Sequence, residues 1–569
     1  MKLSDVLTCA RGGTPADLLL ANARIVNVFS GDVTTGNIAI IGDRIAGIGD
    51  YDALEVRDMA GRFVAPGFID PHVHIESSLM SVSGFVNAVA PHGVTTVIAD
   101  PHEIANVLGI SGIGYMLKSS EHQPMNVYIA LSSCVPATDM ETSGARIDSS
   151  DMLHLMSHDR IVALAEVMNY PGVVYGAPQV LAKIVLARHY RKRIEGHAPG
   201  LSGKELNAYL AAGISSDHEC TRLEEAREKM TSGMHIFIRE GSQAKNLETL
   251  LPLITPRTAH RLMWCTDDRD PHDLISLGHI DAIVRRAITA GVDPVIAIQM
   301  ATINPAMYFG LRHLGAIAPG RQADMVIFSD IADPQIEEVY FKGRRIAHHG
   351  EMLPETQVQE TFPTPPSMNV RLDSLDFSVP AAGSHARVIE VIPDQIATRS
   401  VVMPVTMSDQ MAVADTSRDM LKIAVIERHR GSGQIFTGFI KGLGFKNGAV
   451  ASSVAHDSHN IIVAGTTDED MKTAVEAIVR VGGGLSVASH QKIVAVLSLP
   501  IAGLMSPAPV HRIRDQLDVL LACTRDIGAI PSNPFMTLSF MALPVIPELK
   551  ITDMGLVDVG QFKIVPLFV

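Results

Sequence analysis

Two histidines spaced two positions apart, His72 and His74, are the strongest chemical signal in this sequence. They end an apolar segment with the composition of a β-strand and precede a polar Glu-Ser-Ser loop. Residues two apart in a strand point to the same side, so both imidazoles can reach one metal ion. The position of the pair favours metal ligation over two unrelated histidines.

Further candidate ligands stand at the ends of later apolar segments. Glu166 offers a carboxylate able to bridge two cations, and His197 and His218 each close a later segment. Asp267 and Asp268 close the last one. Each residue taken alone also fits a structural role: a salt bridge for the glutamate, a hydrogen-bonded core histidine, or a helix N-cap for the acid pair.

The elements that must position these residues are eight short apolar segments between residues 66 and 311. Eight strands that alternate with helices over about 250 residues match a (β/α)8 barrel, which brings the carboxyl ends of its strands to one pocket. An open doubly wound sheet is the alternative, but no glycine-rich dinucleotide motif follows the first strand. The segments are GFIDPHVH, TTVIADPHE, VYIALSS, IVALAEVMN, RIEGHA, ISSDHE, HIFIREGS and LMWCTDD.

In such a barrel the candidate ligands converge at the ends of strands one, four, five, six and eight. A mixture of imidazoles and carboxylates suits Zn, Fe or Mn rather than Ca or Mg. Six donors, one of them able to bridge, exceed the need of a single catalytic zinc, so we predict a two-metal site. The zincin motif His-Glu-x-x-His and the Pro-Cys-x-x-Cys of cytidine deaminases are absent. The six are His72, His74, Glu166, His197, His218 and Asp267.

Strand-like segments flank the barrel on both sides. We predict that residues 1–65 and 312–365 form one composite β-sandwich domain, with the barrel at 66–311. The Pro-rich stretch ETFPTPPSMN is typical of a linker. Residues 368–569 are predicted to be a C-terminal α/β domain, in which Thr467 is the N-cap of the helix DEDMKTAVEAIVRV.

Composition limits the function further. The 569 residues predict two or three domains, and the net charge of -14 argues against nucleic acid or an anionic membrane surface as partner. Neither a secretory signal nor an apolar run of membrane-spanning length is visible. Five scattered cysteines favour free thiols in a reducing cytoplasm. We therefore expect a small-molecule substrate and a cytoplasmic protein.

The motifs as a whole resemble the amidohydrolase superfamily. The carriers are Ala-Pro-Gly-Phe-Ile-Asp-Pro-His-Val-His and the later Gly-x-Ile-x-Pro-Gly-x-x-Ala-Asp over Gly315–Asp324. PHVHIESSLM, ADPHEIANV, AEVMNYPGV, GHAPGLSG, SSDHE and CTDDR resemble the adenine deaminases within it. RHRGSGQIFTGFIKGLG and AHDSHNI are similar to the tail of that family, so the resemblance spans nearly the whole chain.

The resemblance implies a role for each ligand. His72 and His74 would hold a first metal with Asp267, which would also shuttle protons. Glu166 would bridge to the second metal, where many relatives carry a carbamylated lysine, and the remaining ligands, His197 and His218, would complete that second site. The implied metals are Mn or Fe, with Zn as the alternative, and the implied assembly is a homodimer or larger homo-oligomer.

One position departs from the superfamily. Mononuclear deaminases carry His-x-x-Glu after strand five, and that glutamate protonates a ring nitrogen; here the string is His197-Ala198-Pro199-Gly200. The proton donor must come from elsewhere. Glu103 and Asp100, at the end of strand two, are the candidates, with Glu103 preferred. The alternative is a carboxylate that only orients a histidine.

The reaction implied is hydrolytic deamination of adenine to hypoxanthine and ammonia, in purine salvage or catabolism. Metal-activated hydroxide would attack C6 while an acid protonates N1. A deaminase of another aminopurine or a pterin is an alternative. So is a cyclic-amide hydrolase, although Glu166 replaces the bridging lysine those enzymes use. A non-catalytic relative would lack ligands, and all six are present.

The C-terminal domain contributes one candidate segment. His456-Asp457-Ser458-His459-Asn460 is dense in polar groups and can act as a lid over the barrel mouth. His459 and Asn460 are the predicted substrate contacts. A solvated loop between strands is the equally open alternative.

Overall fold

Eight parallel strands form the centre of the computed structural model, which describes residues 2–359, 362–393 and 395–569. Strands one to five pair in order, and six to eight do likewise. Ser215 N donates to Ile194 O, and Asp267 N donates to His72 O, which joins the two runs into a ring. The predicted (β/α)8 barrel is confirmed. Its strands are Phe68–Val73, Val94–Ala99, Asn126–Leu131, Ile161–Val167, Arg193–Gly196, Ser216–Asp217, His235–Arg239 and Leu262–Cys265.

Successive side chains along a barrel strand point to opposite faces, so the strands contribute to two separate apolar layers. Ile69, Ile98 and Met263 share a buried cluster with residues of other barrel strands, whereas their neighbours Phe68 and Trp264 belong to the larger core that includes the helices. The helices of this part are Val82–Val89, His102–Leu108, Ile110–Ser119, Ser149–Met156, Tyr170–Val174, Pro178–His189, Gly203–Ala211, Leu223–Thr231, Leu247–Leu250, Pro271–Ser276, Ile280–Thr289, Pro294–Met300 and Ile303–Tyr308. The carboxyl ends of the strands carry the polar residues, and they lie at the end of the barrel where active sites occur in this fold.

The segments on either side of the barrel share one nine-stranded sheet. Phe63–Pro66 pairs antiparallel with Met325–Phe328, which joins the strands before the barrel to those after it. The other strands are Ala16–Asn27, Asp32–Ile41, Arg44–Ile48, Ala53–Asp58, Glu338–Phe341, Arg344–His348 and Glu351–Met352. A helix at Leu3–Ala10 precedes them. This helix was not among the predicted elements, and Cys9 is its one buried residue.

The C-terminal part is built on a mostly antiparallel eight-stranded sheet. Its strands are His385–Val391, Thr398–Pro404, Met420–Ile426, Ile435–Lys441, Ala449–Ser452, Ile461–Gly465, Gly484–Ser489 and Lys492–Ser498. Smaller sheets use Thr406–Ser408, Met411–Val413, Leu549–Thr552, Gly555–Asp558 and Lys563–Val565, and the helices are Asp468–Arg480, Val510–Asp526 and Pro534–Met541. The Thr467 side chain accepts from Asp470 N at 3.2 Å, as predicted for an N-cap. Two residues of the predicted linker, Glu360 and Thr361, lie outside the described residues.

This C-terminal part docks on the barrel through buried polar contacts. The Asn460 side chain donates to Thr142 O at 2.8 Å, and Thr142 N donates to Asp553 Oδ1 at 2.9 Å. Leu79 O accepts from Ser506 N at 2.8 Å. The contacts fix the C-terminal loops over the carboxyl ends of the barrel strands. Among the described helices, none has the length and apolar character that crossing a bilayer requires.

Candidate metal centre

A cavity lies where the carboxyl ends of the barrel strands meet the C-terminal domain. The barrel side of its wall is polar and the opposite side is mostly apolar, an arrangement suited to holding a flat organic ring over polar chemistry. The lining residues are His74, His102, Glu103, Glu166, Met168, His197, His218, Glu219, Arg239, Asp267, Asp268, Ile396, His456, Asp457, Phe540, Leu543 and Ile546.

Glu166, at the end of the fourth barrel strand, stands between two groups of histidines. Its Oε1 lies 3.4 Å from His74 Nε2 and 3.9 Å from His72 Nε2. Its Oε2 lies 2.7 Å from His197 Nδ1 and 3.3 Å from His218 Nε2. Each carboxylate oxygen thus faces different imidazoles, with His102 Nδ1 a third neighbour of Oε1 at 3.5 Å, and this is the arrangement that a bridging carboxylate requires.

The two histidines of the first strand have ring nitrogens free for a ligand. His74 Nδ1 lies 3.0 Å from the carbonyl oxygen of Asp100. A carbonyl only accepts, so Nδ1 carries a proton, and Nε2 is the ring nitrogen that faces the carboxylates of Asp267 and Glu166. His72 Nδ1 lies 3.3 Å from Glu195 Oε2, while its buried Nε2 has no hydrogen-bond partner among the described residues. Burial, with a smaller contribution from His218, lowers the pKa of His72 well below its usual value, and a neutral imidazole is what a metal needs.

Asp267 reaches both groups from the eighth strand. Its Oδ1 lies 3.2 Å from His74 Nε2, and its Oδ2 lies 3.5 Å from His218 Nε2 and 3.0 Å from Arg239 Nη1. Burial favours the neutral acid, but Arg239 and the histidines hold the pKa of Asp267 well below its usual range. Its φ of 59° is a left-handed conformation that Asp and Asn tolerate better than most residues.

The six predicted ligands therefore come together in one buried cluster. The orphaned Nε2 of His72 and the donor set of imidazole nitrogens and carboxylate oxygens fit a divalent transition metal. Convergence follows from the barrel, because residues far apart in sequence end adjacent parallel strands.

The two carboxylates at the end of strand two have different surroundings. Asp100 does not line the cavity: its Oδ1 accepts from Ser132 Oγ at 3.0 Å, and its Oδ2 lies 3.1 Å from His102 Nδ1. Asp100 therefore orients His102 and, through its carbonyl, His74. Glu103 does line the cavity and is the better placed of the two candidates to approach a substrate.

Glu103 is held by two histidines of the C-terminal domain. His456 Nδ1 lies 2.8 Å from its Oε1, and His459 Nε2 contacts its Oε2. Ala455 N donates to His459 Nδ1 at 3.1 Å, so the His459 proton sits on Nε2 and is donated to Glu103. Burial opposes both shifts, yet the two histidines lower the pKa of Glu103 well below its usual range, and Glu103 raises the pKa of His456 to about 9.

The two predicted substrate contacts lie behind this cavity rather than on its wall. His459 is engaged by Glu103, and the Asn460 amide by Thr142 O. From the same loop, His456 and Asp457 line the cavity instead. Burial raises the pKa of Asp457 to about 6, although His102 lowers it.

Three barrel residues of the site were missed by sequence reasoning. His102 Nδ1 lies 3.5 Å from Glu166 Oε1, Glu219 Oε1 lies 3.5 Å from His218 Nε2, and Arg239 contacts both Glu219 and Asp267. Each is a charged or ionisable residue at the last position of a barrel strand or within three residues after it, the same signal that identified the candidate ligands. Asp268, the second acid of the pair, accepts from Ser77 Oγ at 2.5 Å.

The apolar wall comes from the C-terminal domain. Ile396, Leu543 and Ile546 line it, and the Phe540 ring stacks on His456 with centroids 4.6 Å apart and an interplanar angle of 15°. No local pattern in the sequence relates these residues to the barrel.

Comparisons with known proteins agree with this geometry. The model of the amidohydrolase family matches residues 63–346, and that of the adenine deaminase C-terminal domain matches residues 395–563. An adenine deaminase of Desulfatibacillum aliphaticivorans is 52% identical over 564 residues, 99% of each chain. Adenine deaminases of Dehalococcoides mccartyi (47%, 99% of each chain) and Methanothrix thermoacetophila (47%, 100% of each) are similar over a comparable length.

Proposed function

This chain belongs to the adenine deaminase family of metal-dependent hydrolases, and we propose that the buried histidine–carboxylate cluster is where it converts adenine to hypoxanthine and ammonia. The observation that carries the assignment is the position of Glu166, whose two oxygens face separate pairs of imidazoles. The three relatives compared above are named adenine deaminases, so they do not favour deamination of another aminopurine or a pterin, or cyclic-amide hydrolysis.

The proposal assigns the cluster to two divalent cations. His72, His74 and Asp267 would hold the first, His197 and His218 the second, and Glu166 would bridge them. Mn or Fe suits these donors, with Zn as the alternative. Cations bound there would lower the pKa of a water molecule, so that hydroxide is available near neutral pH.

Asp267 is the proposed base of the reaction. It accepts the proton of the attacking hydroxide and delivers it to the departing amine at C6. Arg239, 3.0 Å from its Oδ2, keeps the carboxylate ionised before the attack. The histidine contact on Oδ1 leaves little freedom for the side chain to rotate.

The proton for N1 is assigned to Glu103 acting with His456. Glu103 alone is a hydrogen-bonded carboxylate, whereas His456 beside it is protonated near neutral pH. A proton held by such a pair belongs to both groups. Its transfer to N1 prevents negative charge from building up on the ring when C6 becomes tetrahedral.

The apolar wall completes the site. Ile396, Phe540 and Leu543 would cover the purine faces and exclude bulk water, which strengthens the electrostatic contacts around the reacting carbon.

The direct test is turnover by purified protein of known metal content. The protein is produced in Mn-supplemented cells, metals per chain are counted, and adenine is added while ammonia release and the ultraviolet shift to hypoxanthine are followed. Turnover with two metals per chain is the expected result. Metal-loaded protein that leaves adenine unchanged would contradict the assigned function, and turnover with one metal would contradict the two-metal site.

The remaining assignments extend the same proposal. The composite β domain (1–65 with 312–365), the barrel (66–311) and the C-terminal domain (368–569) are proposed as the three domains, supported by the shared flanking sheet. A cytoplasmic location is supported by the free thiols of all five cysteines. A homodimer or larger homo-oligomer is proposed from the family resemblance and is testable by light scattering.

A further inference from the structure

One carboxylate on the cavity wall has spare hydrogen-bonding capacity. Asp457 is 2% exposed, and its Oδ2 has no hydrogen-bond partner in the described part of the chain. Its Oδ1 lies 3.8 Å from His102 Nε2 and 3.9 Å from His456 Nδ1, both longer than a hydrogen bond. A buried acceptor left unpaired is destabilising, so its presence at a ligand cavity points to a partner supplied by the ligand.

Among the other carboxylates of the cavity, Asp267 also has an oxygen, Oδ2, without a hydrogen-bond partner in the described chain, but that residue is assigned to the first metal. The remaining ones are engaged by protein donors. Glu103 is engaged by His456 and His459, and Asp268 accepts from Ser77 and Arg239. The other lining residues contributed by the C-terminal domain are apolar, apart from His456, which is committed to Glu103. Asp457 is therefore the group on this wall that is available to accept a hydrogen bond from a substrate.

Adenine offers few hydrogens to such an acceptor. Its amino group is on the carbon that reacts and must face the metal ligands, so the one other donor is the N–H of the imidazole ring. Resting on the proposed function, we propose that Asp457 accepts a hydrogen bond from this ring N–H and thereby selects the free base over N9-substituted purines, nucleosides included. A substrate with a substituent at N9 lacks the hydrogen and would leave the carboxylate unpaired, a mismatch that binding sites discriminate strongly.

The test compares adenine with 9-methyladenine in the metal-loaded, full-length enzyme. The readout is the ratio of the 9-methyladenine inhibition constant to the KM for adenine. In Asp457→Ala this ratio is expected to fall about 10-fold to 100-fold, because adenine binding weakens while 9-methyladenine loses nothing. Asp457→Asn, whose amide oxygen still accepts, is expected to retain part of the preference. Asp457→Ser gives the same comparison if the alanine variant does not fold.

Asp553→Asn is the matched control. Asp553 is a buried carboxylate of the same domain whose Oδ2 also lacks a partner among the described residues, but it does not line the cavity. In Asp553→Asn the ratio of the 9-methyladenine inhibition constant to the KM for adenine is expected to match that of the wild type. A ratio unchanged in Asp457→Ala, 9-methyladenine binding undetectable in both proteins, or loss of metal from the variant would overturn the inference. Failure of the wild type to deaminate adenine would instead refute the proposed function.

Discussion

His459 donates a hydrogen bond from Nε2 to Glu103 Oε2, a contact between residues 356 positions apart in the chain. The tautomer is set by Ala455 N, which donates to the opposite ring nitrogen. The C-terminal domain thereby orients a carboxylate that follows the second barrel strand.

From this contact we expect His459→Ala to lower kcat for adenine about 10-fold to 100-fold, with KM and metal content nearly unchanged. The physical reason is that Glu103 remains in place but loses one of the two donors that orient it. Steady-state kinetics with metal analysis checks this. His459→Gln, which can still donate, is expected to recover part of the loss. Equal loss in both variants would mean that His459 acts only through packing.

Glu166→Gln is expected to reduce the metal bound per chain, together with activity. A glutamine amide has one oxygen and one NH2 group, so only one of its two terminal atoms can bind a cation, whereas both oxygens of the carboxylate can. Metal analysis after dialysis is the measurement. Glu240→Gln is the control: Glu240 is a buried barrel glutamate that pairs with Arg286 outside the cavity, and this variant should keep its metal. Full metal retention in Glu166→Gln would refute the bridging role.

Asp267→Asn is expected to keep the metal and lose turnover about 10²-fold to 10⁴-fold, because asparagine cannot accept the proton. Asparagine also tolerates the left-handed backbone at this position, so the fold should be preserved. Single-turnover kinetics on metal-loaded protein provides the measurement. A variant with full activity would exclude Asp267 as the proton carrier.

Lys550 predicts a pH dependence of stability. Its Nζ is buried and donates to Ile396 O at 2.7 Å and Phe540 O at 3.0 Å, and burial lowers its pKa to about 7. The unfolded chain, with a lysine pKa of about 10.4, binds the proton more tightly than the folded chain. The resulting destabilisation is full below pH 7 and is relieved as the pH rises from about 7 to about 10.

The Tm of the wild type relative to Lys550→Met should therefore increase between pH 7 and pH 9. Differential scanning fluorimetry on both proteins, in buffers of equal ionic strength, checks this. A Tm difference that is constant or that falls over this range would contradict a depressed lysine pKa.

The sequence by itself predicted the barrel and the candidate ligands that meet at the carboxyl ends of its strands. His72 and His74 follow from the two-residue period of a strand, and Glu166, His197, His218 and Asp267 from the rule that parallel strands present their carboxyl ends together. Each of these predictions combines a local sequence pattern with the barrel topology, so none of them required a distance between residues to be known.

The tertiary structure alone decided what surrounds those ligands. Arg239 beside Asp267, and His456 beside Glu103, are contacts between segments with no sequence relationship. The placement of Asp457 on the wall, with Asn460 three positions later behind it, depends on how one loop turns. Side-chain direction in a loop is set by the packing of the two domains against each other, and no periodicity in the chain encodes it.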